Sequence, residues 1–201
     1  GTRLVAMKYF FTRKLMLIKE SSAFVCLPGG FGTQDETFEL LTLLQTGKSA
    51  PAPVVLLDVP GGTYWRRWHE YLTDELVAAG LVSAEDHELY LITDDVGEAV
   101  AEVQRFWHSY HSIRWAGDRL VIRLRTAPTP DEVADLNRRF ADLLVDGAIE
   151  ASPPLPAEVS DRDHLDLARL VMRYDARRAG RLRGLIDALN ALPSAAPSPR
   201  R

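Results

Sequence analysis

The first half of the chain alternates short, almost continuous apolar runs with longer segments in which apolar residues recur every three or four positions. Continuous apolar runs of this length are typical of strands buried on both faces, and the longer spacing is typical of amphipathic helices. The predicted strands are 23–27, 53–59 and 87–95, and the predicted helices are 4–19, a segment ending near Gly47, 64–79 and 96–110. This alternation predicts an α/β fold, with a parallel sheet and helices on both of its faces.

A doubly wound sheet of this kind usually has about five or six strands. Three strands are evident here, and a predicted helix rather than a strand precedes the first of them. We therefore expect the N-terminal part of the sheet to be missing from this sequence, including a first strand whose glycine or serine turn would help to bind a nucleotide.

The pattern changes after His111. Residues 118–125 alternate apolar and charged side chains, as a strand with one exposed face does. Thr129 and Pro130 are suited to the N-cap and first position of a helix that we expect to end at Gly147. A strand over 164–175 and a basic helix over 177–192 follow. The predicted organisation is the C-terminal portion of an α/β domain at 1–112, a small α+β module at 113–192 and a disordered tail at 193–201.

Composition excludes several classes of protein. The formal net charge is -4 and the isoelectric point is near 5.8, so no overall basic surface indicates a nucleic-acid partner. No apolar run approaches the roughly 18 to 20 residues of a membrane span, and the basic opening stretch lacks the apolar core of a signal peptide. A single cysteine, Cys26 in an apolar run, is typical of a structural thiol in a reducing compartment. We expect a cytoplasmic protein.

The stretch LPGGFGTQDE, residues 27–36, follows the first predicted strand and opens a helix. Gly29, Gly30 and Gly32 allow backbone N–H groups to approach an anion closely, and a helix N-terminus favours negative charge. The hydroxyl of Thr33 is suited either to a phosphate or to capping the helix. The loop matches neither the P-loop nor the dinucleotide fingerprint, so a phosphate cradle and a capped turn both remain open at this point.

Acidic residues follow the glycines. Asp35 is suited to a capping charge in the first helical turn. Glu36, three residues past Thr33, is placed beside the expected anion, where a carboxylate is costly unless it has a purpose or a cationic partner. Arg13, with Lys14, is the best candidate for that partner, provided that the preceding helix returns it to the carboxyl end of the strand, where α/β sheets bind ligands.

These residues carry a family resemblance. Arg13-Lys14 followed by P-G-G-x-G-T-x-x-E at 28–36 resembles, in sequence and in spacing, the signature of the LOG ("lonely guy") family of nucleoside 5′-monophosphate phosphoribohydrolases. The resemblance covers about residues 8 to 110. It implies a modified Rossmann fold, a homodimer, and no metal or other cofactor.

The resemblance also implies roles for individual residues. Arg13 and Glu36 would be catalytic, and the phosphate or nucleotide would be held by Lys14, Gly29, Gly30, Gly32 and Thr33. The expected substrate is AMP or a related purine nucleotide, which would be cleaved to free base and ribose 5-phosphate. Many short members have Met-His before the x-R-K, whereas this chain has Phe10-Phe11-Thr12, so a cytokinin substrate does not follow from the resemblance.

Two alternatives remain open. The protein is either this enzyme or a non-catalytic nucleotide-binding or regulatory protein of the same fold. Family members are often labelled lysine decarboxylases, but that chemistry needs a lysine joined to pyridoxal phosphate. None of the four lysines has such a setting; they are Lys8, Lys14, Lys19 and Lys48. The aromatic cluster Tyr64, Trp65 and Trp68 is typical of core or dimer packing rather than of a surface that stacks bases.

Overall fold

The computed structural model describes residues 9–196, apart from the side chains of Phe10 and Phe11. The α-helices of this part are α1 Phe10–Lys19, α2 Phe31–Gln45, α3 Tyr64–Tyr71, α4 Val96–Phe106, α5 Pro130–Arg139, α6 Pro156–Asp161 and α7 Ala179–Asn190. The strands are β1 Phe24–Cys26, β2 Val54–Leu57, β3 Leu91–Thr93, β4 Tyr110–Ala116, β5 Arg119–Leu124, β6 Leu144–Ala151 and β7 Ala168–Tyr174. The helix predicted over 4–19 is present from Phe10, and its residues 4–8 lie outside the described part.

The first sheet is parallel, with strand order β1-β2-β3. All of β2 except Leu57 is fully buried, as its continuous apolar run predicts. The parallel sheet and its flanking helices confirm the predicted α/β class, and the arrangement is consistent with a Rossmann-like fold. Because each strand leads into a helix, the loops after β1 and β2 open at the same edge of the sheet, which is where ligands of such sheets bind.

The third predicted strand was too long. Only Leu91–Thr93 is extended, and the residues before it form a 3₁₀ helix, Ala84–Leu89. Ser83 begins this helix: its hydroxyl accepts from the N–H of Glu85 at 3.3 Å, and its own N–H donates to Asp86 at 3.0 Å. These reciprocal bonds satisfy backbone N–H groups at the start of the 3₁₀ helix. In a strand, the same groups would need a neighbouring strand as their partner.

The second sheet is antiparallel, with strand order β4-β5-β7-β6. Two of its strands differ from the prediction. The helix predicted over 96–110 ends at Phe106, and Tyr110–Ala116 form β4, which turns into β5 at Gly117, a residue with φ of 64°. Gly147, expected to end the helix after Thr129, instead lies inside β6 with φ of 76°, between irregular pairings with β7. Left-handed φ values of this kind are those that glycine adopts without strain.

The helix after Thr129 is shorter than predicted, but its start is confirmed. The Thr129 hydroxyl accepts from the N–H of Glu132 at 3.3 Å, and the Glu132 carboxylate accepts from the N–H of Thr129 at 2.7 Å. Pro130 occupies the first helical position. The helix ends at Arg139, and Leu136 on its inner face packs into the core of the second sheet.

Helix α7 contributes to the cores of both sheets. Leu185 and Ile186 are buried among residues of the antiparallel sheet, whereas Ala179 belongs to the cluster around β2 and α3. Gly180 allows the close approach, because a Cβ at this position would overlap the carbonyl group of Glu85 in the 3₁₀ helix. The second half of the chain is therefore packed against the parallel sheet through its last helix.

The aromatic cluster on α3 is part of the core of the first sheet. Trp65 is fully buried and Trp68 is 8% exposed, and their rings meet edge to face with centroids 5.6 Å apart. The predicted core packing of these two residues is confirmed.

The predicted C-terminal tail begins with ordered structure. Pro193–Ala195 form a 3₁₀ helix, Ala195 is buried, and its carbonyl oxygen lies 2.8 Å from Nε2 of His108. The prediction of disorder from residue 193 is therefore wrong for these three residues. Residues 197–201 lie outside the described part.

Among the residues that the structure describes, no helix is long and apolar enough to cross a membrane.

Candidate active site

The glycine loop leaves the carboxyl end of β1 and leads directly into α2. The helix begins at Phe31 with Gly30 as its N-cap, and no side chain caps it. Thr33 is therefore the third residue of the helix, which corrects the interpretation of this residue as the cap. The first N–H groups of a 15-residue helix face the loop without a side-chain acceptor, as is typical of an anion-binding helix N-terminus.

The glycines of this loop serve two different purposes. A Cβ at Gly29 would overlap the side chain of Thr33, so the absence of a side chain lets Thr33 pack directly over the loop. At Gly30 and Gly32, by contrast, a Cβ would meet nothing within 4 Å. These two positions border open space, and a ligand can approach the backbone there without meeting a side chain.

Tyr64, the first residue of α3, holds the loop in place. Its hydroxyl donates a hydrogen bond of 2.7 Å to the carbonyl oxygen of Gly29 and accepts one from the side-chain amide of Gln34. The carboxylate of Asp58, directly after β2, accepts a hydrogen bond of 3.2 Å from the N–H of Trp65 and so orients the start of α3. The sequence predicts only a packing role for Tyr64, because its hydrogen-bond partner is a backbone carbonyl distant in sequence.

Glu36 lies one turn into α2 and is exposed. It borders a cavity of about 250 Å³ between α1, β1 and α2, which Leu17 and Cys26 also line. Burial raises the pKa of the Cys26 thiol, a hydrogen bond to Thr37 offsets part of this effect, and the Glu36 carboxylate raises it further. The thiol therefore stays protonated at neutral pH, and Glu36 is placed close to the carboxyl end of β1.

Lys14 has a different environment from the one predicted. Its ammonium group lies 2.7 Å from Oδ2 of Asp35 and also contacts Glu39, and the residue is only 8% exposed. Hydrogen bonds that the ammonium group donates to these two carboxylates raise the pKa of Lys14. Lys14 therefore joins α1 with α2, and its role as a phosphate ligand stays a prediction. Asp35 is likewise this lysine's partner rather than a capping charge.

Arg13 precedes Lys14 and is exposed on α1. It lies one helical turn before Leu17, which shares the cavity with Glu36, and residues four apart lie on the same side of a helix. Since Lys14 fixes α1 against α2, Arg13 is carried on a helix that packs beside the one bearing Glu36. A direct interaction between Arg13 and Glu36 stays a prediction.

The described part of the chain holds no group of three or more His, Cys, Asp or Glu side chains arranged to bind a metal ion.

Comparison with known proteins identifies the family. The family model described as "possible lysine decarboxylase" matches residues 1–103, half of the chain. The chain belongs to this family. The curated relatives that it matches are LOG proteins.

Several of these relatives are plant proteins. The chain is 33% identical over 94 residues to cytokinin riboside 5′-monophosphate phosphoribohydrolase LOG3 of Arabidopsis thaliana, covering 47% of this chain and 42% of that protein. It is 30% identical over 101 residues to LOG4 of the same plant, covering 50% and 45%. A probable member from Oryza sativa subsp. japonica, LOGL1, is 28% identical over 120 residues, covering 60% and 52%. The chain spans about half the length of the curated relatives it matches.

Proposed function

We propose that this protein hydrolyses the N-glycosidic bond of a nucleoside 5′-monophosphate, AMP or a related purine nucleotide, to release the free base and ribose 5-phosphate. One observation carries the proposal. An uncapped helix N-terminus behind an open glycine loop lies one helical turn from an exposed carboxylate, Glu36. The family membership and the activity for which the plant relatives are named support it.

The proposed phosphate site is the N-terminus of α2. The backbone N–H groups after Gly30 and the hydroxyl of Thr33 would bind the phosphate oxygens, and the helix dipole would stabilise their charge. Tyr64 keeps the loop in position through Gly29, so little reorganisation is needed when the phosphate arrives.

The proposed chemical step uses Glu36. Helical side chains tilt toward the N-terminus, so the Glu36 carboxylate extends toward the phosphate site rather than away from it. Cleavage of an N-glycosidic bond develops positive charge on the ribose, and a carboxylate beside the ring stabilises that charge and orients the attacking water. Arg13 would orient Glu36 or bind the base or the phosphate, since a guanidinium fork suits each of these partners.

The family description as lysine decarboxylase does not lead to a second proposal. A Schiff-base lysine must be neutral to attack, which requires a lowered pKa. In this protein Asp35 and Glu39 raise the pKa of Lys14, and Lys19 and Lys48 are exposed. Lys8 lies outside the described residues.

The proposal is tested by incubating the full chain with AMP, other purine and pyrimidine monophosphates and a cytokinin riboside 5′-monophosphate. Free base and ribose 5-phosphate are measured by chromatography, and adenosine shows whether the phosphate is needed. We expect release from at least one monophosphate and none from adenosine. Glu36→Gln should lower kcat by about 100-fold or more, a typical loss for a group that stabilises transition-state charge.

The matched control is Glu70→Gln, the same substitution at an exposed position of α3, which should leave release unchanged. Arg13→Ala should also abolish release. If the wild-type chain binds a monophosphate but liberates no base, the alternative of a non-catalytic nucleotide-binding protein replaces the proposal. The family resemblance also supports a homodimer, which light scattering after size-exclusion chromatography would detect.

A further inference from the structure

A second cavity lies where the two halves of the chain meet, away from the glycine loop. It has a volume of about 250 Å³ and is enclosed by the end of α2, by β4, β5 and the end of β7, and by α7. Leu44 contributes from the first half of the chain, and Leu120 contributes from the second. The volume lies just below the roughly 300 to 1,000 Å³ typical of sites for drug-sized molecules, so it suits a small ligand.

Two aromatic rings form part of the wall. Trp115 and Tyr174 have ring centroids 6.0 Å apart, tilted by 38°, and Trp115 is 45% exposed at the opening. Rings in such an arrangement, surrounded by aliphatic side chains, favour a flat aromatic ligand.

The cavity also has hydrogen-bond donors. Arg183 lines it and is 95% buried, and its Nη1 has no hydrogen-bond partner within the described residues. A buried donor without a partner costs free energy, which a ligand acceptor would recover. Burial and the nearby carboxylates of Asp175 and Asp86 raise the pKa of Tyr174, so its hydroxyl stays protonated and able to donate.

The surrounding charges decide which acceptor fits. The guanidinium of Arg183 already contacts Glu102 and lies 3.0 Å from Asp187, so its positive charge is compensated. A second anion would gain no net attraction there and would lose its hydration. A neutral acceptor, such as a carbonyl oxygen or a ring nitrogen, needs only the free N–H.

We infer that the cavity between the two halves of the chain is a binding site for a small, neutral, flat aromatic molecule with one hydrogen-bond acceptor, which Arg183 and Tyr174 recognise. The site touches α2 at its C-terminal end, the same helix whose N-terminus forms the proposed phosphate site. The inference does not depend on the proposed hydrolysis.

The test uses three probes of similar size on the ¹⁵N-labelled full chain. Acetophenone is neutral and has an acceptor, ethylbenzene lacks the acceptor, and benzoate carries a charge. Binding is followed by the NMR signal of the Trp115 indole N–H, assigned by its loss in Trp115→Phe. We expect a saturable shift with acetophenone and about tenfold weaker binding of ethylbenzene, since a hydrogen bond to a charged group contributes roughly this factor. Benzoate should also bind more weakly than acetophenone, because its charge would lose hydration without a net gain.

Two variants of matched chemistry locate the site. Ala176 is exposed at the edge of the cavity, so Ala176→Leu should block acetophenone without a change in the core. Ala157→Leu, the same change on exposed α6, should have no effect. Acetophenone binding that survives Ala176→Leu, or does not saturate, would overturn the site. Equal binding of ethylbenzene, or of benzoate, would overturn the assigned ligand class.

Discussion

The hydroxyl of Tyr64 donates a hydrogen bond to the carbonyl oxygen of Gly29 at 2.7 Å, joining the start of α3 to the glycine loop. This contact connects the packing of the first sheet with the geometry of the proposed phosphate site. Through this side chain, the packed helix α3 holds the glycine loop, whose backbone N–H groups would bind the phosphate.

Replacement of this tyrosine by phenylalanine is expected to loosen the loop while the ring keeps its place. Tyr64→Phe should raise KM for the nucleotide about 3- to 10-fold, the equivalent of one hydrogen bond, with a smaller effect on kcat. Steady-state kinetics of base release measure both. Tyr90→Phe is the control, because its hydroxyl contacts His69 at 2.8 Å in the same aromatic cluster but not the loop. Equal changes in KM for the two variants would contradict a role specific to the loop.

Removal of the Lys14 ammonium group is expected to lower stability rather than phosphate affinity. Lys14→Met removes the partner of Asp35 and Glu39 and should lower the unfolding temperature, whereas Lys19→Met on the exposed end of α1 should not. Because hydrogen bonds with these carboxylates raise the pKa of Lys14 above 10.5, its contribution is present below that pH and is lost as pH rises through the raised value. A higher nucleotide KM with an unchanged unfolding temperature would support the phosphate role predicted from the sequence.

Much of this site could be predicted from sequence, but the contacts of Lys14 and Tyr64 could not. The loop and Glu36 follow β1 within ten residues, so the local sequence pattern is enough to place them. The partners of Lys14 are on α2, and the partner of Tyr64 is a backbone carbonyl. Such contacts exist only once α1 and α3 have packed against the loop and α2.

The same reasoning explains which strands were found. β2 is buried on both faces, so its apolar run is continuous. The alternating pattern located β5, but the exposed face predicted for it is wrong, because five of its six residues are buried and Arg123 pairs with Glu158. Six of the eight residues in β6 are exposed to solvent, and the strand owes its conformation to pairing with β7. A strand that depends on pairing with a neighbour rather than on burial has only a weak apolar pattern in its own sequence.

The capping carboxylate of α5 predicts a pH dependence of stability. Burial alone would raise the pKa of Glu132, but hydrogen bonds from Thr129 and Ser194 outweigh it and lower the pKa from 4.5 to about 2. Its stabilising charge is therefore present above pH 4.5 and is lost as pH falls toward 2. Glu132→Gln should cost about 0.5 kcal/mol at pH 7 and less at pH 3, as measured by urea unfolding. A difference that grows at low pH would contradict this assignment.

Two glycines of α7 provide a matched test of helix packing. Gly180→Ala should destabilise the protein by about 1 to 3 kcal/mol, because the new methyl group would overlap the backbone of Glu85. At Gly184 the new methyl group would overlap the mobile end of the Glu88 side chain and make an ordinary contact with Phe140, so Gly184→Ala should be neutral or stabilising by up to about 1 kcal/mol. Denaturant unfolding measures the free energy of unfolding of both variants. Equal changes would show that the close contact between Gly180 and Glu85 does not exclude a side chain at this position.

Helix α7, whose residues are buried in both cores, also has a consequence for cooperativity. If either sheet unfolds, apolar side chains of α7 become exposed to water. The other sheet packs against the same helix and is destabilised as well. The two halves of the chain should accordingly melt together in a single calorimetric transition. The second sheet is in this sense a structural support for the first, and a gene fragment encoding only the family-matched residues 1–103 would yield a protein with part of its interior facing water.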